Sequence, residues 1–265
     1  MRFLAFLLVM VSLGSSVLTA GELKTLRVLC YNLHYGQGTD GRYDIPRLAA
    51  VIRDAKPDLV ALQEVDVGVA RSSRIHEAKE LAKLTNMAVR FGPTQHYQGG
   101  LYGNAVLSKL PIEDVHIQPL PYSDSDQTRT TYPRGAIAVK VRLANGKLIQ
   151  FISTHFQHNV EADRVAEAHA ICDHFAGPES LPSILAGDMN ATPDSEPIAI
   201  LTEHWNHTGS APFSPTAPAG NPRSRIDYIF YQPRTGLTLT GSEVIDEPTA
   251  SDHRPVLAVF DYATE

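Results

Sequence analysis

The chain has 265 residues, 43% hydrophobic and 20% charged, with a formal net charge of −6. That length is ample for one large core, and the acidic balance without a basic cluster argues against avid, sequence-indifferent binding to nucleic acid. Two cysteines, Cys30 and Cys172, are too few for a disulfide scaffold and read as small buried hydrophobes.

Arg2, the apolar run Phe3 to Leu13 and the small or polar Gly14-Ser15-Ser16 have the tripartite form of a secretory signal. The run is shorter than the roughly 20 residues a membrane helix needs, and no cysteine follows it to carry a lipid. Residues 1–20 are therefore expected to be removed after Ala20, leaving 21–265 as one domain, secreted or periplasmic and without a stable membrane anchor.

Leu26 to Tyr31 is a β-rich run ending at Asn32, followed by a glycine-punctuated loop, Gly36 to Gly41. Ile45, Leu48, Ala49 and Ile52 keep helical spacing, with Pro46 suited to a first turn and Lys56-Pro57 closing the helix. Asp58 to Gln63 is a buried strand ending at Glu64. Ile75, Ala78, Ala82 and Thr85 mark a second helix, and the loop before it holds Asp66, Arg71 and Arg74. Short strands follow at Ala88 to Phe91, Asn104 to Ser108, Ile112 to Ile117, Ala136 to Leu143 and Leu148 to Thr154. Asn145-Gly146 joins the last two as a hairpin, because both residues tolerate positive φ.

Pro119 to Pro133 reads as a long polar loop. Val165, Ala168, Cys172 and Phe175 mark a third helix, ending near Gly177-Pro178. The apolar run Ile184 to Gly187 then stops at Asp188 and Asn190. A short helix at Glu196 to Leu201, a loop from Trp205 to Arg225, and strands at Ile226 to Tyr231, Leu237 to Val244 and Pro255 to Phe260 complete the chain. Helices alternate with strands in both halves around a β-rich middle. That order fits two packed sheets with helices outside better than one parallel sheet.

Polar residues at the ends of the apolar runs are the chemical signal. A buried carboxylate must be paired, hydrogen-bonded or bound to metal, so Asp188 predicts company. Asn32, Glu64, His155, Asn190, Asp227, Asp252 and His253 supply it if their strands share one rim. Carboxylates without thiolates suit Mg²⁺ or Mn²⁺ better than zinc. With imidazoles and amides opposite, such a set can hold a phosphate ester and stabilise its displacement.

The ordered motifs Tyr31-Asn32-Leu33-His34, Leu62-Gln63-Glu64, Gly103-Asn104-Ala105-Val106-Leu107-Ser108, Ser153-Thr154-His155, Gly187-Asp188-Met189-Asn190, Ile226-Asp227-Tyr228 and Ser251-Asp252-His253-Arg254-Pro255 resemble the endonuclease/exonuclease/phosphatase superfamily. The resemblance implies a four-layered α/β sandwich with two mixed sheets face to face, and metal-dependent phosphoester hydrolysis. It implies Glu64 as the principal metal ligand, with Asn32 and Asp252 arranging the ion. Asp188 would orient or deprotonate water, Asn190 would bond phosphoryl oxygens, His253, oriented by Asp227, would neutralise the phosphate, and His155 would do likewise or assist the leaving group.

Arg71, Asn104 and Arg134 are the candidate substrate contacts. His155 and His34 replace the tyrosine and aspartate of apurinic endonucleases, so the chain is more similar to the branch of deoxyribonucleases and sphingomyelinases. The expectation is a monomeric phosphodiesterase acting on a lipid head group or small phosphodiester. The alternatives are a secreted nuclease on DNA or RNA and a non-catalytic binding module.

Overall fold

The computed structural model describes residues 22–264, so the leader expected at residues 1–20 lies outside the described residues. One six-stranded sheet has the order β11-β12-β1-β2-β4-β3 and the other the order β5-β6-β7-β8-β10-β9. In chain order β1 is Leu23–Asn32, β2 Leu59–Val67, β3 Ala88–Tyr97, β4 Gly100–Ser108, β5 Ile112–Leu120 and β6 Arg134–Arg142. Then come β7 Leu148–His155, β8 Ser183–Asp188, β9 Asn206–His207, β10 Asp227–Tyr231, β11 Thr238–Val244 and β12 Val256–Ala263. The helices are α1 Ile45–Ala55, α2 Glu77–Thr85, α3 Glu161–Phe175 and α4 Glu196–Thr202.

The layering follows from the period of two along strands buried on both faces. Leu26, Val28 and Cys30 of β1 meet Phe151 of β7 and Ile184 and Ala186 of β8 between the sheets. Their alternates Leu29 and Tyr31 face Leu48, Ala49 and Ile52 of α1. On the far side Ile152 and Leu185 face Ala168, Ile171 and Phe175 of α3. Four layers result, helices, sheet, sheet, helices, as the sequence order predicts. Each fully buried Leu, Ile or Phe contributes roughly 1.5–3 kcal/mol. Cys30 and Cys172 are free and buried in different layers.

Local chemistry sets the ends of the helices. Asp44 caps α1 by accepting a bond from Arg47 N at 2.9 Å, Pro46 occupies its first turn, and Lys56 at φ 51° ends it. Parallel pairs β1–β2 and β7–β8 sit in the middle of the two sheets, and antiparallel strands flank both. The hairpin predicted at Asn145-Gly146 joins β6 and β7 antiparallel.

Four boundaries differ from the sequence reading. β3 and β4 extend to a turn at Gln98-Gly99, both at positive φ; the polar residues Arg90, Thr94, Gln95 and His96 on a half-exposed strand mask the extension. β2 does not stop at Glu64 but runs on to Val67 across a bulge between Leu62 and Val65. β9 lies inside the segment read as loop from Trp205, and β5 runs two residues, Pro119 and Leu120, into the loop expected from Pro119. Asp252 and His253 precede β12 instead of following a strand; because β12 is antiparallel to β1, that places them at the same rim.

Candidate active site

The rim is formed by the C-terminal ends of β1, β2, β7 and β8 and by the N-terminal ends of the antiparallel β10 and β12. Beneath it, buried polar contacts lock one sheet to the other. Gln63 Nε2 donates to Ser153 Oγ at 3.1 Å, and Ser153 Oγ donates to Leu62 O at 3.1 Å. Asn104 Nδ2 donates to Gly135 O at 2.8 Å. Asn104, expected to touch substrate, thus spends its amide on a strut between the sheets.

Asp188 is the centre. Gly187 precedes it because a Cβ there would come within 2.3 Å of the Thr154 carbonyl oxygen on β7, so only glycine lets β8 approach so closely. Asp188 Oδ1 accepts from Asn190 N at 2.9 Å and Oδ2 from Asn32 Nδ2 at 3.0 Å. Burial, then the charge of Asp227, pushes its carboxyl up to about 7, against the pull of His253 and these bonds.

Asn32, fully buried, also donates from Nδ2 to Glu64 Oε1 at 3.1 Å, while its Oδ1 accepts from His34 N. Both ends of its amide are committed, and one of them positions Glu64. Glu64 sits in the β2 bulge at φ 56°, a left-handed conformation costly for a residue with a Cβ. Asn190 at φ 48° and His34 and Tyr35 at 46° and 45° are further left-handed residues at the same rim.

The two imidazoles have opposite partners. His253 Nδ1 bonds both oxygens of buried Asp227, at 3.1 and 2.9 Å, and its Nε2 lies 3.7 Å from Asp188 Oδ2. Burial pulls this ring down, but the charges of Asp227 and Asp188 and the bond to Asp227 outweigh it and raise it well above its ordinary value. His155 is held well below its ordinary value, by burial first and then by the Arg134 charge. Arg134 Nη1 stands 3.2 Å from His155 Nδ1; since a guanidinium only donates, Nδ1 accepts. Nε2 lies 3.4 Å from Asp188 Oδ2. Asn190 Nδ2 donates to Phe156 O and sits 3.1 Å from the same nitrogen. Two imidazoles with opposite partners thus face one aspartate.

These groups line a cleft of about 360 Å³ together with Glu64, Asp252, Arg71 and Arg134. Asp188, Asp227 and His253 present ligand atoms within 4.8 Å of one another, a cluster able to hold a metal ion. The family model for the endonuclease/exonuclease/phosphatase family matches residues 29–253. The chain belongs to that family. As a member it is a phosphohydrolase acting on phosphoester bonds.

YbhP of Escherichia coli (strain K12) is similar over 249 residues at 26% identity, covering 88% of this chain and 95% of YbhP. Among solved folds, a family member from Beutenbergia cavernae superposes with TM-score 0.72 at 24% identity, over 90% of this chain and 72% of that one. The Bacteroides thetaiotaomicron mannosyl-6-phosphatase Bt3783 gives 0.71 at 18%, over 88% and 98%. The human Nocturnin catalytic domain gives 0.66 at 18%, over 91% and 97%.

Of the residues expected at the family's site, Glu64, Arg71, Arg134, His155, Asp188, Asn190, Asp252 and His253 line the cleft, and Asn32 and Asp227 stand directly behind it. Sequence reasoning missed the aromatic wall of Tyr35, Tyr97, Tyr102 and Tyr132 with Gln95 and His158. The signal available for part of it was the Gln98-Gly99 turn beside Tyr97.

Proposed function

We propose that the protein is an exported, divalent-cation-dependent phosphodiesterase that activates water with Asp188. The observation that carries this is the geometry about one buried aspartate: His253, bonded to Asp227 at 2.9 Å, and His155, 3.2 Å from Arg134, stand 3.7 and 3.4 Å from Asp188 Oδ2. Environments that push two titratable groups apart assign their roles.

A divalent cation fits the donor set. Glu64, Asp188, Asp227 and Asp252 against the Arg134 guanidinium and the His253 imidazolium leave two formal negative charges, and burial, then the Asp227 charge, raises Asp188 to about 7. The Glu64 and Asp252 carboxylates, with Asn32 behind, are hard oxygen donors suited to Mg²⁺ or Mn²⁺. Such an ion would supply Lewis-acid stabilisation of the charge that develops on the phosphoryl group.

The remaining work belongs to side chains. Asp188, aimed by Asn32 and the Asn190 amide, takes the proton of the attacking water as its oxygen bonds to phosphorus and the ester P–O bond breaks. The His253 imidazolium, fixed by Asp227, and Arg134 face the phosphoryl oxygens as they gain charge, and the Asn190 amide is a further donor. A diester, with one negative charge, leaves a site neutralised by one divalent ion less overcharged than a monoester with two. The acidic net charge favours a lipid head group or small diester over polymeric DNA or RNA.

Turnover of bis-p-nitrophenyl phosphate by the purified chain tests the reading. Activity should require Mg²⁺ or Mn²⁺, disappear in excess EDTA and exceed that on p-nitrophenyl phosphate; full turnover after chelation and dialysis would refute the cation. Recovery of a mature N-terminus after Ala20 outside the cytoplasm would support export.

A further inference from the structure

The wall of the cleft away from Asp188 is built around Arg71, which the hydrolysis above does not use. Its Nε and Nη2 each donate at 2.9 Å to Asp66, whose side chain is fully buried. Its Cζ lies 3.6 Å from the Tyr35 ring centroid, with Tyr97 at 4.7 Å and Tyr102 at 5.5 Å. The guanidinium is thereby fixed in position and plane. Among the described residues Nη1 is the one guanidinium nitrogen without a protein partner, on a side chain that lines the cleft. A donor held this way loses little freedom on binding.

The composition of the wall selects its ligand. A second phosphate would need an uncompensated cation, but Asp66 cancels Arg71, and Arg134 stands at the reacting end beside His155. A nucleobase would need a free aromatic face. Arg71 Cζ lies over Tyr35, Tyr97 and Tyr102 at 3.6, 4.7 and 5.5 Å, and the Tyr132 ring is paired with His158 at 5.7 Å. An acyl chain would meet tyrosine hydroxyls, the Gln95 amide and a guanidinium. What suits fixed neutral donors and acceptors at the edges of aromatic rings is a compact arm rich in hydroxyls, and the cleft's 360 Å³ lies at the small end of small-molecule sites.

We infer that the Tyr35–Arg71–Tyr97 wall is a recognition subsite for the alcohol arm of the ester, and that this arm is a polyhydroxylated ring of the sugar or cyclitol class. This rests on the phosphodiesterase reading and names its substrate. Arg71 Nη1 and the Gln95 amide bond ring hydroxyls, while ring C–H edges lie against the tyrosines.

The test compares kcat/KM on glycerophosphoinositol, glycerophosphocholine, thymidine 5′-p-nitrophenyl phosphate and bis-p-nitrophenyl phosphate, all with Mg²⁺. The inositol ester should exceed the choline ester by about tenfold or more, the worth of one or two directional hydrogen bonds. Asp66→Asn combined with Arg71→Met removes the ion pair together and strands no buried charge. It should lower the ratio of inositol ester to bis-p-nitrophenyl phosphate about tenfold, mainly through KM. Should that variant fail to fold by circular dichroism, Gln95→Leu decides, with an expected fall in the same ratio of about threefold from the loss of the second hydroxyl partner. An unchanged ratio in a folded variant, or a wild type that prefers the choline or thymidine ester, overturns the subsite while leaving the phosphodiesterase intact. A wild type inert toward every ester in Mg²⁺ and Mn²⁺ overturns both.

Discussion

Glu167 on α3 offers a measurement of what this fold costs its own chain. Its side chain is fully buried, Oε2 accepts a 2.8 Å bond from the Gln157 amide, two residues past His155, and Oε1 has no partner. Burial pushes its carboxyl from 4.5 up to about 8. The sign follows from linkage: between these values the unfolded chain is ionised and the folded chain is protonated, so ν_N exceeds ν_U and stability falls as pH rises. The stabilising effect of the low-pH state is complete below 4.5 and is lost progressively up to about 8. At pH 7 the 2.5 units above the unfolded value amount to about 3 kcal/mol at 1.36 kcal/mol per unit, and at pH 5 to about 1 kcal/mol. Glu167→Gln keeps the shape and the acceptor for Gln157 and removes the titration. Urea unfolding at pH 5, 6, 7 and 8 should show the variant gaining on the wild type with pH, to about 3 kcal/mol at pH 7. That corresponds to about 6–12 °C in Tm for a chain of this size. A difference that stays flat with pH, or a variant less stable at pH 7, would refute the reasoning. Glu77, whose carboxyl is also raised to about 8 and whose Oε2 accepts from the Asp66 amide, should behave alike.

Glu64→Gln should raise the Mg²⁺ concentration for half-activity by about tenfold; an unmoved titration would make Glu64 a strut of the rim rather than a ligand. Asp227→Asn strips His253 of the partner that keeps it charged. Because an imidazolium is lost as pH rises through its pKa, the alkaline limb of the pH–rate profile should move down by about one unit or more, and a profile that does not shift would remove His253⁺ from the chemistry. Between 50 and 200 mM salt, kcat/KM on a small diester should change by less than about tenfold, against the roughly 10³–10⁵ loss of proteins with six to ten phosphate contacts. Strongly salt-sensitive degradation of DNA with no turnover of small diesters would favour a nuclease.

Much of the rim was legible because strands buried on both faces are almost wholly apolar, so the polar residue that ends each stands out. Asn32, His155 and Asp188 were visible for that reason, and the layering followed from the order of helices and strands. The direction of β12 was not legible: antiparallel pairing brings Asp252 and His253 to the rim from in front of their strand, and a run of residues carries no mark of its sense. The bulge at Glu64 was hidden because β2 stays apolar on either side of it. The tyrosine wall was invisible because Tyr35, Tyr97 and Tyr132 come from turns and strand ends without periodicity, and only packing gathers them around Arg71. Asn104 shows the converse: a polar residue in a family motif whose side chain is used to join sheets.

The place of β12, between β11 and β1, also has a consequence in time. β1 is the first strand of the described chain to leave the ribosome and β12 the last, and the loop carrying Asp252 and His253 emerges only just ahead of it. Until then the β1 edge from Leu26 to Cys30 has no neighbour on that side, and Asp227 has no imidazole to hold. A nascent chain arrested before Ser251 would lack Asp252 and His253, two of the side chains that line the cleft. The closing of the sheet is therefore also the step that completes the lining of the cleft.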